Sequence, residues 1–225
     1  MSVATQVLVV DDDPVVRDSY RAILDHLAGF ELCGEAATGR AAVERYDELG
    51  PDLVLMDIQM PVMSGVEATT EICRRSPRAC VVIITTFGTA DYVVAALRAG
   101  AAGYLLKDAT PELLHTGMRQ AIAGEMPLSG RVRRELVSSV IAEGDRVVPR
   151  PIAPALTPRE RELMQWLAQG LSNQQIAERM YLSTGSVKQY MSNVGAKLGA
   201  RSRTQILVAA LRLRLFDPDA SILER

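Results

Sequence analysis

The 225 residues carry 48% hydrophobic side chains and a formal net charge of −2. No apolar run approaches the ~20 residues of a membrane span, and three sparse cysteines, Cys33, Cys73 and Cys80, have neither metal-ligand spacing nor a disulfide framework. Membrane-spanning, disulfide-stapled and disordered classes are thereby excluded, and one large or two ordinary domains in a reduced cytoplasm are expected. The net charge conceals an asymmetry. Residues 1–125 hold 10 basic and 18 acidic side chains, whereas residues 156–215 hold 9 basic and 3 acidic. The basic half is the natural partner for a polyanion. The start, "MSVATQVLVV", lacks the basic region of a signal peptide and reads as a strand.

That strand, "QVLVV", precedes "PVVRDSYRAILDHLA", whose Val15, Val16, Tyr20, Ile23, Leu24 and Leu27 have helical spacing. "FELCGEA" is a second strand, and "GRAAVERYDELG" a helix closed by Gly50. "PDLVLMD" is a buried strand, "SGVEATTEICRRS" a helix, and "ACVVIITT" the most apolar strand. "TADYVVAALRAG" is a helix ending at Gly100, "GYLLK" the fifth strand, and "TPELLHTGMRQAIAG" a fifth helix with Thr110 as N-cap and Pro111 in its first turn. Strict alternation predicts an α/β doubly wound fold, a five-stranded parallel sheet covered on both faces.

The strand ends carry the chemistry. The first stops at Asp11 and Asp12, the third at Asp57, the fourth at Thr85 and the fifth at Lys107. Ligands of open parallel sheets bind beyond the carboxyl ends of the strands, where the winding reverses. Strand order 2-1-3-4-5 places that reversal between strands one and three, so the three aspartates meet there. Clustered carboxylates at an open edge suit a hard cation, Mg²⁺ or Mn²⁺, which offsets their repulsion. Asp57 is then placed to attack phosphorus and hold an aspartyl phosphate. Lys107 balances charge on the phosphoryl oxygens and Thr85 donates to one of them. Singly these residues read more blandly: Lys107 as a surface lysine, Thr85 as a β-branched strand residue, Tyr104 as core packing.

The segments "VLVVDDDP", "PDLVLMDIQMPVMSG", "VVIITTF" and "AAGYLLKDATPELL" resemble, in order over residues 5–125, the receiver domain of bacterial response regulators. The resemblance implies a flavodoxin-like fold with Asp57 as phosphoacceptor, Asp11 and Asp12 as the acidic pair, Thr85 as the switch hydroxyl and Lys107 as the family lysine. It makes the backbone carbonyl of Gln59 a metal ligand beside Asp11, Asp12 and Asp57. Tyr104 matches the aromatic whose ring turns inward when the hydroxyl moves. Gln59 and Phe87 stand where the family tunes phosphoryl lifetime. Asp13 replaces a frequent His and is read as a favourable charge at a helix N-terminus, not as a ligand.

Residues 126–152 form the join, a helical stretch "RVRRELVSSVIAEG" followed by a tether containing Pro149 and Pro151, with Pro154 just beyond. The last part, 153–217, is helical throughout, a small four-helix domain. Thr157-Pro158-Arg159-Glu160 is a capping box and Ser172 with Gln175 a second. A short helix near 173–180, the turn "YLS" and a longer helix near 184–198 stopped by Gly199 make a helix-turn-helix. Ser183 caps the longer helix. Thr184, Ser186, Lys188, Gln189, Ser192, Asn193 and Lys197 suit base edges and phosphates, and Arg201 and Arg203 follow as phosphate contacts. A solvated polar face has the same composition. "LTPRERE", "GLSNQQIAERMYLSTGSVKQYMSN" and "AKLGARSRTQ" resemble a LuxR-type helix-turn-helix. By that resemblance the fourth helix, "TQILVAALRLRL", pairs two protomers.

Together the two resemblances imply a NarL/FixJ-type response regulator. Its partners are a sensor histidine kinase, double-stranded DNA and a second copy of itself. It has no membrane contact and is no enzyme beyond slow self-dephosphorylation. A Mg²⁺-dependent phosphatase with an aspartate nucleophile is one rival, disfavoured by the basic helical domain and by Gln59 where such a phosphatase needs a second aspartate. A receiver that works unphosphorylated is the other.

Overall fold

The computed structural model describes residues 4–86, 90–128, 155–200, 202–213 and 215, with Ala90, Leu211 and Arg212 described by backbone alone. Phe87, Arg201 and the helix and prolines expected within 129–154 lie outside the described residues. The first half alternates β1 (Thr5–Val10), α1 (Pro14–Leu24), β2 (Phe30–Ala36), α2 (Gly39–Leu49), β3 (Leu53–Asp57), α3 (Gly65–Arg75), β4 (Val81–Thr85), α4 (Ala90–Ala99), β5 (Gly103–Leu106) and α5 (Pro111–Ile122). The strands form one parallel sheet in the order β2-β1-β3-β4-β5. The anticipated doubly wound sheet is therefore present, with its reversal between β1 and β3.

Local sequence explains where the elements begin and end. Asp13 caps α1 by accepting from the Val15 amide at 2.8 Å, with Pro14 behind it in the first turn. Gly50 ends α2 in the left-handed region at φ 58°, which costs glycine little. Ser64 and Glu67 form a reciprocal capping box on α3, and Thr110 caps α5. Every residue of β3 and β4 is buried. Alternate side chains divide between two cores, as the strand period of two requires. Val7, Val9, Leu53 and Leu55 meet Tyr20 and Leu24 of α1 and Met118 of α5. Leu8, Val54, Met56 and Ile83 meet Val43 of α2, Ile72 of α3 and Leu97 of α4.

The second half contains α6 (Pro158–Ala168), α7 (Asn173–Met180), α8 (Thr184–Leu198) and α9 (Arg203–Arg212). Thr157 with Glu160 and Ser172 with Gln175 form the two expected capping boxes, and Gly199 ends α8 at φ 65°. Leu163, Met164, Ile176, Met180, Val187 and Val194 pack within this helical domain. Gly195 lies inside α8, where a Cβ would meet the Ala200 carbonyl oxygen at 2.7 Å.

Among the described residues, α9 attaches the second half to the first, and the start of the join folds back on the sheet. The helix α9 packs on α4, and the buried Thr204 hydroxyl donates to the Ala101 carbonyl oxygen at 2.7 Å. The chain after α5 turns back onto the free edge of β5. There the Tyr104 amide donates to Pro127 at 2.9 Å and Tyr104 bridges Leu128 in parallel. Gly103 makes this possible, since a Cβ there would overlap the Pro127 ring.

Candidate functional site

The register of β1 on β3 pairs Val10 with Met56, so the next residues, Asp11 and Asp57, emerge side by side. Ligand oxygens of Asp11, Asp12 and Asp57 lie within 4.8 Å of one another. Asp11 and Asp57 are buried and Asp12 is exposed. Lys107, just past β5, places its Nζ 2.5 Å from Asp11 Oδ2 and 3.2 Å from Asp57 Oδ1. Thr85 ends β4 beside Asp57, is 3% exposed, and accepts the Lys107 amide on its carbonyl oxygen at 2.8 Å. Five side chains predicted from four strand ends thus share one edge of the sheet.

Neighbouring groups fix this arrangement. The Arg17 guanidinium donates to the Asp11 and Asp12 carbonyl oxygens at 2.7 and 3.2 Å, and the Asp13 amide donates to Asp11 Oδ1 at 3.1 Å. Past β3, the Met63 amide donates to the Pro61 carbonyl oxygen at 2.8 Å around Val62, which is held at φ 69°. Gly65 has no room for a Cβ against the Asp57 carbonyl oxygen. Arg17 and this tight turn were not anticipated. Arginine on an amphipathic helix gives no signal of the backbone it will reach.

Burial pushes the Asp57 carboxyl above the ordinary aspartate range; the Lys107 ammonium opposes this and Asp11 adds to it. Burial pulls Lys107 down, but its bonds to Asp11 and Asp57 outweigh burial and leave it above ordinary lysine. Burial, with Asp11 and Asp57 nearby, also raises the Tyr20 hydroxyl. Three carboxylates facing one ammonium leave surplus negative charge on hard oxygen donors, a set that fits a divalent cation. Gln59 lies two residues past Asp57 in the following loop, its side chain 3.4 Å from the Tyr92 hydroxyl. Tyr104 has no exposed surface, so its ring is already inside.

The helix-turn-helix residues divide into two groups. Ser183, Thr184, Lys188, Gln189, Ser192 and Asn193 are exposed along α8 and Ser186 is partly so. Ser183 Oγ caps the helix by accepting from the Ser186 amide at 3.0 Å. Lys197 instead binds Glu160 at 2.6 Å and the Ala155 carbonyl oxygen at 3.3 Å. Arg203, read from sequence as a phosphate contact, turns inward to Asn173 Oδ1 at 2.7 Å and to the Leu171 carbonyl oxygen. Both cations meet acceptors more than 29 residues away in sequence, a separation no local pattern reveals.

Residues 7–119 match the family described as the response regulator receiver domain, and residues 154–210 match the bacterial regulatory proteins of the luxR family. An uncharacterized transcriptional regulatory protein of Bacillus subtilis, YxjL, is 36% identical over 207 residues, covering 92% of this chain and 95% of its own. The nitrate/nitrite response regulator NarL of Escherichia coli is 34% identical over 210 residues, 93% of this chain and 96% of its own. The crystal structure of the response regulator ChrA, from a heme-sensing two-component system, is 36% identical with a TM-score of 0.52, covering 95% of this chain and 99% of that one. Salmonella typhimurium RcsB shares the fold at 22% identity and a TM-score of 0.57, over 91% of this chain and 97% of that one.

Proposed function

The chain belongs to the response regulators that join a receiver domain to a LuxR-type DNA-binding domain, and from that we propose a transcription factor gated by phosphorylation of Asp57. A sensor histidine kinase supplies the phosphoryl group. The division into 1–125, 126–152 and 153–217 belongs to this reading, as does a cytoplasmic location. Among the described residues no helix is long and apolar enough to cross a membrane.

The observation that carries the reading is Lys107 spanning Asp11 and Asp57 beside buried Thr85. A Mg²⁺ or Mn²⁺ ion held by Asp11, Asp12, Asp57 and the Gln59 carbonyl would neutralise the carboxylates and the incoming phosphoryl oxygens. An Asp57 carboxylate oxygen forms the bond to phosphorus as the bond to the donor nitrogen breaks. Lys107 keeps its contact with Asp11 and turns its remaining donors to a phosphoryl oxygen. The Thr85 hydroxyl donates to another. Movement of Thr85 frees space beside Tyr104, whose ring starts buried, so repacking replaces a swing from solvent.

Tyr104 holds residues 127–128 of the join at its backbone and stands three residues from Ala101, which holds α9. Phosphorylation releases α9 from α4 and leaves it to pair with a second copy. The dimer then reads a two-fold site through Ser183, Thr184, Ser186, Lys188, Gln189, Ser192, Asn193 and Arg201. Lys197 joins them only by leaving Glu160. The test is DNA affinity with and without a small phosphodonor in the wild type and Asp57→Asn. An increase confined to the wild type is expected; an equal increase in both overturns the reading.

A further inference from the structure

Closing the two halves creates a cleft of about 660 Å³ that the phosphoryl site does not use. Its walls come from both domains. The α3–β4 loop contributes Arg78, the reading helix α8 contributes Lys188, and the start of α9 contributes Arg203. Among the described residues no acidic side chain lines it. None of the three cations forms an ion pair among the described residues. Glu125 acts on Arg203 only through space, and burial lowers the Arg203 guanidinium to about 10. Its Nε is buried without a hydrogen-bond partner. Two domains of opposite net charge therefore both contribute cations to one cleft. Like charges drawn together in a partly enclosed space cost free energy unless a counter-charge sits between them. Ile122, Met191 and Ile206 give the same cleft an apolar share of its lining. Its volume falls within the range of small-molecule sites, roughly 300–1,000 Å³.

We propose that the cleft binds a phosphorylated small molecule of nucleotide size. Its phosphates lie between Arg78 and Lys188, beside the unpartnered Nε of Arg203, and its ring packs on Ile122, Met191 and Ile206. The ligand bridges the domains and holds the chain closed, with Lys188 and Ser192 kept from DNA. This input is separate from Asp57 and works against DNA binding.

The full chain is titrated calorimetrically with ADP and with inorganic pyrophosphate, in EDTA so that the aspartate cluster holds no cation. One saturating ADP site is expected, with pyrophosphate binding at least about tenfold more weakly. Arg78→Ala, on an exposed loop outside the DNA-reading face, is expected to weaken ADP about tenfold and to abolish the loss of DNA affinity that ADP causes. Arg78→Glu supplies the counter-charge itself and lowers DNA affinity without ADP. Asp57→Asn binds ADP like the wild type, which keeps this result independent of phosphorylation. Absence of saturable binding overturns the proposal. So does undiminished ADP binding by Arg78→Ala, which would place the ligand on the reading face alone. Equal binding of pyrophosphate overturns the nucleotide-sized class.

Discussion

At the scale of single residues, the site trades stability for chemistry. Asp57 is buried beside another carboxylate, an arrangement that raises its pKa and that a domain optimised only for folding would avoid. Val62 shows a similar cost in the backbone. Its φ of 69° is disfavoured for a β-branched residue, and its side chain is 92% exposed, so no packing compensates. Val62→Gly is expected to stabilise the fold by about 1 kcal/mol, read as a higher denaturant midpoint. An unchanged or lower midpoint would mean that the turn carries no strain. The pattern "VVDDDP" and the lone Asp57 after an apolar strand were legible because like charges crowded onto strand ends need an ionic explanation. Arg17 was not, since its acceptors are carbonyl oxygens that exist only once β1 and α1 have folded.

At the scale of elements, two contacts within the helical domain bear on its stability. Gly195 lowers the propensity of α8, and Gly195→Ala would recover about 1 kcal/mol on that count. The added Cβ would however press on the Ala200 carbonyl oxygen at 2.7 Å and on Ile206 Cδ1 at 3.3 Å. The expected net effect is destabilisation by up to about 2 kcal/mol, measured by chemical unfolding. Glu160 ties α6 to α8 through Lys197 while closing its own capping box. Burial raises its carboxyl, but Lys197 and the Thr157 amide outweigh burial and hold it below ordinary glutamate. An acid depressed on folding contributes stability above its unfolded pKa and loses it as pH falls through the folded value. Melting temperature should therefore drop as pH falls below roughly 4.3. Glu160→Gln should cost about 1–3 kcal/mol at neutral pH and flatten that drop. The capped boundaries of α6, α7 and α8 were readable because caps are local chemistry, whereas α9, read as 204–215, spans Arg203–Arg212. The Glu160–Lys197 pair was not, because Glu160 has a sufficient local explanation in its capping box.

At the scale of the whole molecule, the order of the sheet and the family of each half followed from patterns spread along the chain, whereas the closure of one half on the other did not. Nothing in "RSRTQILVAAL" distinguishes a helix that meets another copy from one that meets α4. The structure adds a buried hydroxyl, Thr204, bonded across the junction. Thr204→Ala removes that bond, worth about 1 kcal/mol net, and should shift the closed-to-open balance roughly fivefold. Unphosphorylated protein would then bind DNA more tightly by a comparable factor. Small-angle scattering should show a larger radius of gyration, and an unchanged radius with unchanged affinity would remove Thr204 from the closure.

The return of residues 127–128 onto β5 has one more consequence. The amide proton of Tyr104 is shielded by Pro127 and by nothing in the sheet proper. Its exchange with deuterated solvent therefore counts how often the chain peels away from the outermost strand. A single backbone position thus reports detachment of the join from the sheet, read without DNA.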